Sequence, residues 1–238
     1  MSGTKLRHWL FVLSGAIPLL ALLASPPQTM LLIYTLFVTA ILLRELIQVA
    51  AFQSNRRASA ILGTSVLVSG LVAETLAWAN NYLAATEPPI LFHPQLIPDL
   101  ILGVGFYGGW GIAWMIVTRR FAFTFREVFC TTGVMGIAVE NNLAVLKTIL
   151  ASLLANPLHA AMLGLYVFAV YGSMAAIPFV ILDRAITSPR QRHHWIKYLV
   201  AIVLMFVCAW LLTVLVHVAA KPLGLIPPKR SIVGHPLF

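Results

Sequence analysis

The chain has 238 residues, 60% of them hydrophobic and 10% charged, with a mean hydropathy of +0.92. A water-soluble domain carries roughly 25% charged residues, so this composition excludes a water-facing surface and leaves no stretch polar enough for a second domain. The net charge of +9 does not indicate nucleic acid, because no basic stripe with interleaved aromatics is present.

A membrane crossing needs about 20 mostly apolar residues. Seven such stretches follow one another, at roughly 9–24, 29–53, 60–84, 98–118, 128–154, 157–182 and 196–218. Proline and charge punctuate them: Ser25-Pro26-Pro27, Asn55-Arg56-Arg57, Pro88-Pro89 with Pro94 and Pro98, Arg119-Arg120, Asn156-Pro157 and Asp183-Arg184. The expected fold is an all-α polytopic membrane bundle of about seven helices, forming a single domain over residues 1–238.

The first stretch also fits a cleaved secretory signal peptide, with Lys5 and Arg7 ahead of an apolar run and small residues near Ala24. The other six would keep their orientation. That orientation comes from charge. Eleven basic residues precede span one or lie between spans two and three, four and five, and six and seven. The alternate connections at 25–28, 85–97 and 155–156 hold none. Basic loops stay in the cytoplasm, which places the N-terminus inside and the C-terminus outside. A bacterial-type cytoplasmic membrane is expected, and no N-x-Ser/Thr sequon is present. Trp9, Trp114 and Trp195 fall near the cytoplasmic boundary, where amphipathic rings collect.

Charged groups inside the spans carry the functional expectation, because each costs roughly 2.5–3.5 kcal/mol near mid-bilayer and usually faces the interior with a partner. Arg44 and Glu45 fall in span two, and Arg44 is expected to reach toward the cytoplasmic interface. In span three Glu74, Trp78 and Asn81 share one helical face. In span five Gly133, Gly136, Glu140 and Lys147 do the same, with Asn141 and Asn142 beside them. Span four carries Gly103, Gly105, Gly108, Gly109 and Gly111, a pattern that lets a neighbouring helix approach closely.

Two readings of the acids stand. Glu74 and Glu140 pair structurally with Lys147, or they line a polar cavity and act as acid and base, with Asn81, Asn142, Lys147 and Trp78 contacting a substrate. The loop at 85–98, apolar at Ile90-Leu91-Phe92, would then cover that cavity or dock a partner. His93, Asp99, His159 and His217 gather at the outer side, but without the short spacing of a metal motif they read as surface groups, and no metal is assigned. Cys130 and Cys208 lie in apolar segments without ligand spacing and read as buried small hydrophobes.

Nucleophile-elbow, zincin, phosphate-loop and haem-attachment motifs are absent, so the cofactor is undefined. Three functions remain: an intramembrane enzyme or binding protein for a lipid or isoprenoid, a small proton- or cation-coupled transporter, and a non-catalytic subunit or assembly factor. The corresponding partners are the lipid bilayer, a lipid-soluble small molecule and other membrane subunits.

Overall fold

The computed structural model describes residues 3–47, 55–140, 143–182 and 195–238. Helix α1 runs Gly3–Ala21, a 3-10 turn at Thr29–Leu31 leads into α2 (Leu32–Leu42), and α3 is the single turn Arg44–Ile47. There follow α4 (Asn55–Leu83), α5 (Leu96–Arg120), α6 (Phe125–Val139), α7 (Ala144–Ser152), α8 (Pro157–Leu182) and α9 (Ile196–Ala220). The fold is all-α among the described residues.

Among the described residues, four helices are long and apolar enough to cross a membrane: α5, α8, α9 and the Ala58–Leu83 part of α4. Helices α6 and α7 make a fifth if taken together, but they meet at 89°. That is fewer than the seven expected, and most of the shortfall lies at the N-terminal end. The apolar helices Leu6–Ala21 and Thr29–Leu42 are shorter than a crossing of about 20 residues. The first stops ahead of Ser25-Pro26-Pro27, and the second where Arg44 and Glu45 bring charge into the run. Residues 48–54, which the expected second span includes, lie outside the described residues.

Helix α5 is the centre of the bundle, packed between α4 and α9. Its glycines make that possible. A Cβ at Gly109 would come 2.5 Å from Ala209 Cα, one at Gly105 2.6 Å from Thr213 Cα, and one at Gly111 2.5 Å from the Gly63 carbonyl oxygen. Small residues permit backbone-to-backbone packing of this kind. Trp110, Trp114, Met174 and Met205 fill the core around it. Trp114 is therefore not at the boundary as expected. It is fully buried between Phe123 and Phe179, whereas Trp9 and Trp195 are exposed. The outward flank of α9 is bare, with only 17% of its most apolar window buried.

At one end of the bundle, the turn before α6 meets the start of α9. Thr124 and Glu127 form a reciprocal capping box. Glu127 also accepts from Lys197 Nζ at 2.5 Å and from the Tyr198 hydroxyl at 2.7 Å. Lys197 donates as well to the Ala122 carbonyl at 3.0 Å and lies 4.7 Å from the Phe123 ring centre. Removing one partner of a buried ion pair costs roughly 3–5 kcal/mol. Glu127 is 29% exposed, so Glu127→Ala is expected to cost less, about 2 kcal/mol. Adding Lys197→Met should recover most of that loss in detergent melting; losses that simply add would show the pair to be uncoupled.

At the other end, the loop before α5 is covered by the C-terminal tail. Leu96 and Ile97 donate their N–H groups to the Pro236 and Leu237 carbonyls at 3.0 and 3.3 Å. Gln95 Nε2 donates to the Arg230 carbonyl at 3.0 Å, and Glu87 accepts from Ser231 Oγ and Ile232 N at 2.7 and 3.0 Å. Ile232 is fully buried by this docking.

Candidate functional site

Both glutamates singled out by their position face tyrosines. Glu74, on α4, is buried and accepts from the Tyr107 hydroxyl of α5. The local reason is Gly70, one turn earlier. A Cβ there would collide with the Tyr107 ring, so the bare backbone lets the ring lie on α4 with its hydroxyl at Glu74. Helices α6 and α8 repeat the device. Gly136 lies one turn before Glu140, a Cβ at Gly136 would collide with the Tyr171 ring, and Tyr171 donates its hydroxyl to Glu140.

The two pairs meet through one side chain. Trp110 is fully buried, its ring centre 6.4 Å from that of Tyr107 and 5.7 Å from that of Tyr171. Among the described residues, neither glutamate is bonded to lysine or arginine. Lys147 is exposed on α7 and makes no ion pair with either. The reason is the break after Val139. Glu140 caps α6 with non-helical backbone, Leu143 takes a left-handed φ of 69°, and α7 then departs at 89°. The stripe from Gly133 to Lys147 therefore does not continue as one helical face.

The other expected contacts divide. Trp78 stacks on Tyr82 at 5.1 Å and donates its indole N–H to the Pro94 carbonyl at 3.0 Å. Asn81 donates to the Ala77 carbonyl at 2.9 Å and accepts from Ile90 N at 3.2 Å. Both thus hold the loop that precedes α5. Asn142, with Asn141, lies outside the described residues.

Two further acid–base groups belong to the neighbourhood. Asp99 is fully buried rather than at the surface, as is His93. Asp99 Oδ1 accepts from His93 N at 2.8 Å, and its carboxyl faces that of Glu74. Asp99 Oδ2 makes no hydrogen bond of good geometry. His93 Nδ1 accepts from Gln95 N at 3.2 Å, so its Nε2 carries the proton donated to the Pro227 carbonyl at 3.0 Å. Burial pushes the imidazole below the ordinary histidine value, Lys229 adds to that, and the Pro227 and Gln95 contacts oppose it. Among the described residues, no group of three or more His, Cys, Asp or Glu side chains is placed to hold a metal.

An open groove of about 280 Å³ runs between the end of α6 and α9, and Glu140 does not line it. Met135, Val139 and Leu143 line one wall, and Ile202, Val203 and Phe206 the other. Its lining is apolar throughout.

The tyrosines had a sequence signal that residue-by-residue reasoning passes over. Gly70-x-x-x-Glu74 is followed 33 residues on by Tyr107-Gly108, and Gly136-x-x-x-Glu140 is followed 31 residues on by Tyr171-Gly172. The Asn80-Asn81 and Asn141-Asn142 pairs do not share that register, starting six residues after Glu74 and one after Glu140. Comparison with known proteins finds no matching family, no matching curated relative and no matching solved structure.

Proposed function

We propose that this chain is an integral membrane protein with its N-terminus in the cytoplasm, whose two glutamate–tyrosine pairs form one intramembrane site for a lipid-soluble molecule. The observation that carries the reading is the twinned arrangement itself. Two carboxyl–phenol pairs meet at Trp110 through their tyrosine rings, with no basic partner among the described residues. Ionisable groups in an apolar interior are costly, and a merely structural polar group is satisfied more cheaply by an amide or hydroxyl. In this reading Glu74 and Glu140 are the acid and base, and Tyr107 and Tyr171 orient them. An apolar groove opens at Val139, the residue before Glu140, although neither Glu140 nor Tyr171 lines it. Trp78 and Asn81 serve the site by fixing the loop over it.

The experiment is lipid extraction from the purified full chain, followed by mass spectrometry. The unsubstituted protein is expected to retain a lipid-soluble compound enriched over the bulk membrane. Glu140→Gln and Tyr171→Phe should reduce its retention at least about tenfold, equivalent to about 1.4 kcal/mol of binding, with melting little changed. Extracts that match bulk lipid in all three proteins would overturn the proposal.

One observation favours the transporter alternative, namely the break at Glu140. Interrupted helices near the bilayer midplane form ion sites in secondary transporters, where half-helix C-terminal ends face the cation. Proton or sodium flux in vesicles that Glu140→Gln abolishes would establish it.

A further inference from the structure

The two halves of the site are alike in glycine, glutamate and tyrosine, but not in what lies behind the glutamate. Glu140 sits at the end of α6, where Tyr171 is its hydrogen-bond partner among the described residues. The Tyr107 hydroxyl donates to Glu74, and the Tyr107 ring runs back along α5 to 3.7 Å from a Cβ at Gly103, one turn from Asp99, so the Glu74 carboxyl lies on the Asp99 side of the ring. Asp99 is fully buried and is held by the His93 and Phe92 backbone, yet one of its oxygens makes no hydrogen bond of good geometry. An unsatisfied carboxylate oxygen facing a second carboxyl in an apolar interior is a costly arrangement. It becomes a satisfied one if a single proton lies between the two groups, since a protonated carboxyl is itself a donor.

We propose that Glu74 and Asp99 form a carboxyl pair that shares one exchangeable proton and is the proton-holding half of the site. The pair carries one negative charge in total. The Tyr107 hydroxyl donates to Glu74, and the His93 backbone N–H donates to Asp99. The shared proton occupies the remaining gap. When that proton passes to a bound molecule, its bonding electrons stay on the carboxyl oxygen and the pair becomes doubly negative. Two anions side by side in low dielectric repel, so the pair regains one proton from water. Other titratable and charged groups act on it. Glu140, and through Tyr107 also Tyr171, face it from within the bundle, and His93 and Lys229 from the covered end.

The inference rests on the proposed site only for the use made of the proton; the sharing is measurable without any substrate. The measurement is infrared difference spectroscopy of the full chain in lipid vesicles, in H₂O and D₂O, across pH. A protonated-carboxyl stretch that shifts in D₂O is expected at neutral pH. It should persist in Glu140→Gln and be lost in Glu74→Gln/Asp99→Asn. Asp99→Asn alone should shift the frequency and pH midpoint of the band, because Glu74 exchanges a carboxyl neighbour for an amide. Near-isosteric changes of this kind keep the fold, and helical circular dichroism checks that directly. A band unchanged in Asp99→Asn would overturn the proposal. So would a band lost in Glu140→Gln but kept in the double variant. Lipid retention that fails while the band behaves as expected would reject the ligand reading and leave the carboxyl pair standing.

Discussion

Gly109→Leu is expected to prevent α5 from seating on α9, whereas Gly108→Leu should leave the protein folded. The positions are adjacent, yet they face different surroundings. A Cβ at Gly109 would lie 2.5 Å from Ala209 Cα and equally near Ala209 N and the Cys208 carbonyl carbon. All three are backbone atoms of a helix, so no rotamer change relieves the clash. At Gly108 the nearest atom is Leu212 Cδ2 at 3.1 Å, the far end of a side chain that can turn aside. Overpacking of a well-filled interior costs roughly 1–3 kcal/mol and more where backbone must move. Gly109→Leu should exceed that range and yield little folded protein in detergent. Gly108→Leu should cost less than about 1 kcal/mol on the same scale. Thermal melting of the two variants side by side decides the matter, and equal losses would mean that α9 is not seated as described.

The second large effect is expected at Trp110. Trp110→Ala should cost about 3–5 kcal/mol, the usual range for a buried tryptophan cut to alanine. The ring touches Phe106, Tyr107 and Tyr171. Its loss would open a void where the two tyrosines now lean. Trp110→Phe should be mild by comparison. Phenylalanine keeps most of the contact, and the indole Nε1 it removes has no hydrogen-bond partner. A buried donor left unsatisfied costs about 1–3 kcal/mol, so part of the lost packing is offset. Detergent melting of both variants checks the order; a phenylalanine variant as unstable as the alanine one would point to a partner for Nε1.

How far the site was legible depended on what each residue costs in the membrane. Glu74 and Glu140 stand out because a carboxyl inside an apolar helix needs a reason. Tyr107 and Tyr171 do not, since a phenol is amphipathic and passes as packing. They emerge only when the two glycine–glutamate units are laid over each other. Asp99 reads as an interfacial group because it follows Pro98 at the start of a helix. What buries that end is the tail, more than 130 residues on, and periodicity says nothing about distant segments.

The break at Glu140 was equally hidden. Ala138-Val139-Glu140 and Leu143-Ala144-Val145 contain no proline or glycine, so the apolar count runs through them as one span. The all-α character was plain from composition, and the glycines of α5 announced its close packing. Seven crossings were counted by hydropathy, which weighs apolar residues without weighing helix length. The structure gives length, and α1 and α2 fall short on it.

The tail laid across the loop before α5 also bears on how the molecule is made. Its hydrogen bonds join residues such as Arg230 to Gln95 and Ile232 to Glu87, 135 and 145 positions apart. Synthesis runs from the N-terminus, so α4 and α5 are complete, with Glu74 and Asp99 already in place, long before residues 227–237 leave the ribosome. Throughout that interval His93 lacks the Pro227 carbonyl and Gln95 lacks the Arg230 backbone. Closure of this end therefore follows the synthesis of α9, and a nascent chain arrested within α9 would leave the His93 and Gln95 side chains without these carbonyl partners.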